Sequence, residues 1–403
     1  MAVTQEFEVI VVGAGIEGLA TARYLRKTLP KHKRVLLLEQ YLWPHNRGSS
    51  FGATRITRFS YDDVDYGSLM PDAFDKWSTL ENETNMELYK ETGMLYLLPA
   101  ESKALANYKE TIAQNKFSYE EFDGTQISVR FPQFNAPRDY VGIFERNGGL
   151  LYAAKSLQAF MTSFKANGGA FQDNEPVTDI IPSTKNGPVT VKTNKGSYVA
   201  RQGVVLTMGP WAPSFLNERL GLRLPIESHK TIFCYWKTTK SDAYSVAQGS
   251  PCLMAQMRND PTHGHYYLKA EWEFDGLVQL GIHTGVRSNP NERDDPTSIA
   301  GFQSDYVRLC QNFGAQFVKS VDLNAPVLVD SCMYTENMTD SGYILDRHPK
   351  YDNVIIGTGF TGHGFKLAPV VGEILGNLAL KRSQAERVKM SRFSIGRFAN
   401  SKL

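Results

Sequence analysis

The sequence predicts a mixed α/β (α+β) protein in which a dinucleotide-binding domain carries a second, sheet-containing domain as an insertion. Two observations predict this class. Residues 8–40 have the pattern of strand, glycine turn, helix and strand, and residues 222–318 are enriched in aromatic and strand-forming side chains. We expect residues 1–85, 145–221 and 319–403 to form the dinucleotide-binding domain, and residues 86–144 and 222–318 to form the inserted domain.

The glycine turn follows an apolar strand, Val9–Val12, and has the spacing of Gly13, Gly15 and Gly18. The first glycine allows a tight turn, the second lets the backbone approach a pyrophosphate, and the third lets the helix pack closely on the strand. The phosphates then lie at the helix N-terminus, where free N–H groups favour anions. Glu39 ends the second strand, where a carboxylate accepts hydrogen bonds from a ribose. The pattern predicts a Rossmann-like dinucleotide site but leaves the dinucleotide open.

Length and composition exclude several classes of protein. The chain has 403 residues, 42% hydrophobic and 21% charged, with a formal net charge of +2. This balance indicates neither a nucleic-acid partner nor an acidic membrane surface. No apolar run approaches the roughly 20 residues that span a bilayer. We therefore expect a soluble, intracellular protein with a small-molecule ligand.

The cysteines and the last three residues give two further expectations. Cys234, Cys252, Cys310 and Cys332 lack CxxC or His/Cys ligand spacing, so neither a metal site nor a disulfide framework is predicted. Ser401-Lys402-Leu403 matches the tripeptide that the peroxisomal import receptor reads. The sequence therefore predicts a peroxisomal location.

A loop rich in small residues and arginine follows the second strand and includes Ser50, Thr54, Arg55 and Arg58. Arg55 and Arg58 are three residues apart, which would place them on one face of a helical turn. A guanidinium there can bind a cofactor ring or a substrate carboxylate. An exposed basic loop explains the same residues equally well, and the sequence leaves both readings open.

A second glycine-rich junction, Gly362-His363-Gly364-Phe365-Lys366, joins a strand to a helix near the C-terminus. It offers another positive helix end, and Lys366 adds a cation that suits an anion or an electron-rich ring oxygen. The alternative is a glycine-rich loop with a solvated lysine. His283 stands out in the inserted domain, although a lone histidine in a strand is more often structural than catalytic.

These segments together resemble one family. The glycine turn with Glu39, the segment RGSSFGATRITR, and the segments SCMYT, LDRHPKYDN and GHGFKLAPVVGEIL are similar to the monomeric sarcosine oxidase family of flavoproteins. The resemblance spans nearly the whole chain. It implies FAD and a monomer that oxidises a secondary amino acid at its C–N bond by hydride transfer to the flavin, with oxygen giving hydrogen peroxide. Members of this fold also take bulkier secondary amines, so the substrate stays open.

The resemblance also implies roles for individual residues. Cys332 matches the cysteine that is attached covalently to the flavin, and Arg55 matches an arginine beside the ring. Arg58 and Lys366 match the pair that binds the substrate carboxylate. Tyr334, His283 and Tyr267 match residues of the substrate pocket. A carboxylate clamp of this kind would make catalysis mainly a matter of positioning.

The chain departs from the family pattern at two positions. The family's oxygen-activating lysine, four residues before the pocket histidine, is replaced by Gln279, which removes a cation that would stabilise developing superoxide charge. Phe51 stands where relatives commonly have a histidine, which bears on covalent attachment. The alternatives are therefore a dehydrogenase with another electron acceptor, or a flavin-binding module with little turnover.

Overall fold

The computed structural model describes residues 5–240, 242–258, 265–295, 297 and 300–398. The tripeptide Ser401-Lys402-Leu403 lies outside the described residues. The strands are β1 (Gln5–Val12), β2 (Val35–Leu38), β3 (Thr54–Thr57), β4 (Tyr89–Glu91), β5 (Met94–Pro99), β6 (Glu120–Asp123), β7 (Tyr140–Glu145), β8 (Gly149–Tyr152), β9 (Ala170–Gln172), β10 (Val177–Pro182), β11 (Val189–Thr193), β12 (Ser197–Leu206), β13 (Ile226–Lys237), β14 (Cys252–Gln256), β15 (His265–Lys269), β16 (Leu277–Ile282), β17 (Val286–Arg287), β18 (Leu328–Asn337), β19 (Ile344–His348) and β20 (Tyr351–Thr358). The helices are α1 (Ile16–Thr28), α2 (Val64–Gly67), α3 (Met70–Thr84), α4 (Lys103–Asn115), α5 (Gly124–Arg130), α6 (Ala153–Ala166), α7 (Ala212–Leu220), α8 (Ala300–Phe317) and α9 (Ala368–Ala379).

The predicted strand, turn, helix and strand near the N-terminus are β1, α1 and β2, and they form the centre of the first sheet. β1 pairs in parallel with β2 and β12, and β12 pairs in parallel with β20. Successive residues of β1 point to opposite faces of the sheet, as strand geometry requires. Val9 and Val11 belong to the core under the helices, whereas Ile10 and Val12 belong to the core on the other face. This sheet confirms the mixed α/β class.

The second sheet has nine strands in the order β17-β13-β16-β15-β14-β5-β7-β6, with β18 also paired to β13. Trp236, Leu253 and Leu280 lie in a core shared with Phe313 of α8. A small antiparallel sheet of β3, β8 and β4 is formed by residues on either side of β5–β7. The second sheet therefore has one apolar face covered by α8, and its other face contributes to the cavity described below.

The structure corrects three details of the sequence prediction. Arg55 lies in the strand β3, which pairs with β8, so the helical turn predicted for Arg55 and Arg58 is wrong. Strand-forming residues at 197–200 and 203–207, separated by Arg201 and Gln202, predict two strands. Both segments belong mainly to the single strand β12, because its first half pairs with β11 and its second half with β20. The division into domains stays a prediction, but β18 pairs with β13 over ten residues and so belongs to the second sheet rather than with the rest of residues 319–403.

Candidate active site

A cavity of about 740 Å³ runs from the β1–α1 turn to the face of the second sheet that α8 does not cover. Every residue predicted for the site lines it except Gly18. The predicted residues in its wall are Gly13, Gly15, Glu39, Ser50, Thr54, Arg55, Arg58, Tyr267, Gln279, His283, Cys332, Tyr334, Gly362, Gly364 and Lys366. Residues that are far apart in the chain therefore meet in one cavity.

The glycine turn has the close approaches that its spacing predicts. Gly13 has a φ of +99°, and a Cβ there would lie 2.4 Å from the carbonyl oxygen of Thr207. A Cβ on Gly18 would lie 1.8 Å from the carbonyl oxygen of Gly13. Gly18 is therefore behind the cavity wall, where it lets α1 pack on the turn. Gly15 faces the cavity, and a Cβ there would meet only the Ser50 side-chain oxygen, at 3.0 Å.

Polar contacts fix the nucleotide end of the cavity. The buried carboxylate of Glu39 accepts hydrogen bonds from the backbone N–H groups of Ala14, at 2.8 Å, and Tyr41, at 3.1 Å. The first residue of α1, Ile16, donates its N–H to the Ser50 hydroxyl at 3.0 Å. Glu39 thus holds the turn against the end of β2, and the N-terminus of α1 opens toward the cavity.

Arg55 ties together the loop that precedes β3. Its guanidinium donates to the carbonyl oxygens of Thr54, at 2.7 Å, and of Ser49 and Phe51, both at 2.8 Å. Its Cζ also lies 5.6 Å from the centre of the Phe365 ring. Arg55 is therefore an ordered part of the cavity wall, which disfavours the exposed basic loop that the sequence left open.

Two buried cations, Arg58 and Lys366, lie against the same ring. The Arg58 Cζ is 5.0 Å and the Lys366 Nζ is 5.4 Å from the centre of the Tyr61 ring. Within the described part of the chain neither cation forms an ion pair, although Asp62 and Glu145 act on Arg58 through their charge. Arg58 donates to the Met254 sulfur, and its Nε has no partner among the described residues.

Lys366 is also poorly satisfied. Its Nζ donates to the His363 carbonyl oxygen at 3.3 Å. Burial, and then the charge of Arg58, hold the pKa of Lys366 well below its usual range. An anion bound beside Arg58 and Lys366 would offset their repulsion and favour the ammonium form of Lys366, so the two groups favour the binding of an anion.

His283 and Tyr334 lie close together beside this pair. The His283 Nε2 is 3.0 Å from the Thr361 carbonyl oxygen, so this nitrogen carries the proton and Nδ1 is the acceptor of the neutral ring. Burial lowers the pKa of His283 to about 4, which makes the ring neutral near pH 7. A Cβ on Gly362 would lie 2.3 Å from His283 Nε2 and 2.7 Å from the Tyr334 ring, which explains the glycine at this position.

The second sheet supplies the wall between the two ends of the cavity. Gln279 of β16 lies opposite Tyr235 of β13 and Lys269 of β15. Gly281 leaves room for Tyr267, because a Cβ there would lie 2.3 Å from the Tyr267 ring. Cys332 is a free thiol in this wall, and burial raises its pKa to about 11 although Arg55 opposes the shift.

Sequence reasoning missed several residues of this cavity, namely Tyr61, Asp62, His265, Lys269, Glu273 and His363. One signal was available for Lys269, because it lies two residues after Tyr267 on a strand and therefore faces the same side of the sheet. His363 and Tyr61 lie within a few residues of predicted site residues, but no pattern in the sequence distinguishes them from structural neighbours.

The described residues limit what else the site contains. Within them, no group of three or more His, Cys, Asp or Glu side chains is placed to hold a metal ion. Over the same described ranges, none of the helices has the length and hydropathy required to cross a bilayer.

A nucleotide turn that opens into a cavity with two buried cations is typical of a protein that binds a nucleotide cofactor beside a second, anionic ligand. The chain belongs to the FAD dependent oxidoreductase family, which matches residues 8–378. It is 37% identical to peroxisomal sarcosine oxidase of Homo sapiens over 392 residues, covering 97% of this chain and 96% of that protein. It is 31% identical to monomeric sarcosine oxidase of Bacillus sp. (strain NS-129), with 98% of each chain covered.

A solved structure agrees with the fold. The open form of NikD, described as an unusual amino acid oxidase essential for nikkomycin biosynthesis, superposes with a TM-score of 0.79 at 24% identity, covering 97% of this chain and 98% of that chain. The resemblance to the sarcosine oxidase family is confirmed, and the protein is an FAD-dependent amino-acid oxidase.

The residues present fit FAD. The open face of Gly15, the N-terminus of α1 and the Glu39 carboxylate provide the contacts that a dinucleotide needs. At the other end of the cavity Gly362, packed against His283 and Tyr334, adds no side chain to the wall. Bound there, FAD supplies the redox chemistry, and the side chains of this chain supply binding and orientation.

Proposed function

We propose that this protein oxidises a secondary amino acid, either N-alkyl or cyclic, such as sarcosine, L-pipecolate or a bulkier relative, to the imine by hydride transfer to FAD. The observation that carries this proposal is the pair of buried cations, Arg58 and Lys366, at the Tyr61 ring without an ion-paired carboxylate. A substrate carboxylate could pair with both side chains and would offset one of the two positive charges. The names of the relatives, which are sarcosine oxidases, support the amine class.

In this proposal each residue of the substrate end has a defined task. Arg58 and Lys366 bind the substrate carboxylate and so fix the amino acid in one orientation. Neutral His283 offers Nδ1 as an acceptor to a substrate N–H. Tyr334 and Tyr267 shape the pocket around the amine substituent, and catalysis follows mainly from positioning.

Molecular oxygen is the proposed electron acceptor, which makes hydrogen peroxide the second product. The alternative is a dehydrogenase that uses another acceptor, and the observation that favours it is Gln279. This side chain is buried and neutral, and its Oε1 has no partner among the described residues. We expect Gln279→Lys to speed reoxidation in air, and an unchanged rate would refute this account of the position.

We further propose that FAD is attached through Cys332. The thiol lines the cavity near Arg55 and Lys269, both of which act on it through their charge. Phe51 replaces the histidine that relatives commonly carry in the loop, so attachment needs its own test. Yellow colour that stays with acid-precipitated protein would support attachment, and a colourless precipitate would contradict it.

The proposed location is the peroxisome and the proposed state is a monomer. Relatives in human and mouse are named peroxisomal sarcosine oxidases, and bacterial relatives are named monomeric. The proposed partner for import is the peroxisomal receptor that reads residues 401–403. A fluorescent protein fused to the N-terminus should enter peroxisomes with the tripeptide and stay outside without it. Light scattering at several concentrations should give the mass of one chain.

Anaerobic mixing tests the function directly. The holoenzyme is mixed with sarcosine, L-pipecolate and other N-alkyl amino acids, and the flavin absorbance is followed. Bleaching followed by recovery in air supports the oxidase. Bleaching without recovery supports the dehydrogenase, and no bleaching by any of these compounds supports a flavin-binding module with little turnover. The buried cation pair disfavours the last outcome, since a simple binder has no need of it.

A further inference from the structure

Lys269 is a buried cation of the cavity wall that has no part in the carboxylate clamp. Its Nζ donates to the backbone oxygen and the hydroxyl oxygen of Thr54, both at 3.1 Å, and to Glu273 Oε1 at 3.2 Å. Three acceptors around one nitrogen match the three donors of an ammonium group. The Thr54 hydroxyl and the Tyr235 hydroxyl both donate to Glu273, which keeps this carboxylate ionised. Burial lowers the pKa of Lys269, but the ionised Glu273 opposes that shift, and the three acceptors hold the ammonium in place.

The strand register places Lys269 directly opposite Gln279. The two residues are partners in the antiparallel pairing of β15 with β16. Directly opposed residues of antiparallel strands point to the same face and have Cβ atoms about 4.5–5.5 Å apart. Both side chains line the cavity. An ammonium group at position 269 of β15 and one at position 279 of β16 would thus lie beside nearly the same part of the cavity.

The charges around Lys269 leave this part of the wall positive. Glu273 offsets one positive charge, and Arg55 adds another that acts on Lys269 directly. Cys332, which burial keeps as a neutral thiol, also lies within reach of the charges of Lys269 and Arg55. The formal charges of Lys269, Arg55 and Glu273 sum to +1. Without Lys269, the charges of Arg55 and Glu273 sum to zero.

We propose that Lys269, positioned by Thr54 and Glu273, is a cation that stabilises negative charge on the flavin ring. The inference rests on the proposed function only in taking the ring to lie against this wall. A fixed cation beside developing charge stabilises it because no reorganisation is needed. Although Gln279 is neutral, Lys269 on the neighbouring strand then supplies a positive charge beside the ring.

Sulfite titration of the oxidised holoenzyme measures this charge without any amine substrate. Sulfite adds its lone pair to the flavin ring, forms one N–S bond and moves a negative charge onto the ring. We expect Lys269→Gln to weaken sulfite binding at least tenfold and to lower the two-electron midpoint potential, a tenfold change being about 30 mV. The double variant Lys269→Gln/Gln279→Lys should recover most of the sulfite affinity, because it returns the ammonium from β16.

Controls separate charge from folding. Lys230→Gln removes another buried lysine of the same sheet that lies outside the cavity, and it should leave the sulfite affinity unchanged. If Lys269→Gln does not retain FAD, the double variant, which keeps one ammonium near Glu273, carries the test. The proposal would be overturned if Lys269→Gln bound sulfite with an affinity within twofold of wild type. It would also be overturned if the double variant bound sulfite at least tenfold more weakly than wild type. Sulfite binding needs no amine substrate, so a holoenzyme that oxidises no secondary amino acid still gives either result. Failure of this inference is therefore distinguishable from failure of the proposed function.

Discussion

Arg58→Met should separate substrate binding from stability, because we propose that Arg58 binds the substrate and it has few contacts that stabilise the fold. Its guanidinium lies over Tyr61 and Tyr96, donates to the Met254 sulfur and leaves Nε without a partner among the described residues. Methionine retains most of the apolar bulk and removes the charge.

The expected magnitude follows from the loss of one partner of a buried charge pair, which costs about 2–5 kcal/mol. At about 1.4 kcal/mol per factor of ten, the dissociation constant of an amino-acid substrate should rise roughly 30-fold to 5,000-fold. The free energy of unfolding should stay within about 1 kcal/mol of wild type or increase, because the substitution removes a desolvated charge that repels Lys366. The variant should therefore bind substrate poorly and remain stable.

Arg26→Met provides the matched control. Arg26 is also buried, but it donates to four carbonyl oxygens, those of Asn167, Leu29, Pro30 and Lys33. Its loss leaves those acceptors unpaired and should lower the free energy of unfolding by about 2–4 kcal/mol without changing substrate affinity.

The assay combines two measurements on the holoenzyme. Anaerobic flavin bleaching against substrate concentration gives the dissociation constant, and urea denaturation followed by far-UV circular dichroism gives the free energy of unfolding. The proposed role of Arg58 in substrate binding would be refuted if Arg58→Met raised the dissociation constant less than tenfold. It would also be refuted if Arg58→Met lowered the free energy of unfolding as much as Arg26→Met does.

Three further changes test other parts of the cavity. Gly18→Ala places a Cβ 1.8 Å from the Gly13 carbonyl oxygen, and overpacking of about 1–3 kcal/mol should weaken FAD binding in fluorescence titrations. The control Gly196→Ala has nothing within 4 Å of its Cβ and should leave FAD binding unchanged. Equal FAD affinities of the two variants would contradict the packing argument. Cys332→Ser should move FAD from the acid precipitate to the supernatant, and retained colour in the pellet would exclude Cys332 as the attachment point. Because burial and Arg58 lower the pKa of Lys366, its ammonium is lost at a lower pH than in an ordinary lysine. With acetate as a probe of the carboxylate site, the dissociation constant should therefore rise with pH below pH 10. Lys366→Met should abolish that rise.

The nucleotide end was predictable because its interactions are local. A strand, a turn of three spaced glycines, a helix and a second strand within residues 8–40 fix a parallel unit whose turn must lie at the helix N-terminus. Gly13 and Gly18 show the close approaches that the spacing predicts. The flavin family was also readable from segments of the sequence, and the matching family spans residues 8–378.

The substrate end depended on contacts between distant parts of the chain. The spacing of Arg55 and Arg58 suggested a helical turn, but pairing of β3 with β8 makes this segment a strand, because tertiary hydrogen bonding overrides a local pattern. β18, expected with the nucleotide domain, pairs instead along β13 and so brings Cys332 and Tyr334 to the cavity.

The sequence by itself determined the dinucleotide turn and the mixed α/β fold, because glycine spacing and strand patterning act over short stretches of chain. Its resemblance to a flavoprotein family indicated FAD and a set of residues that line one cavity. Only the tertiary structure showed that Arg58 and Lys366 share the Tyr61 ring without an ion-paired carboxylate, and that Lys269 faces Gln279 across two strands. Burial and strand register decide these properties, and both arise only when segments far apart in the sequence pack together.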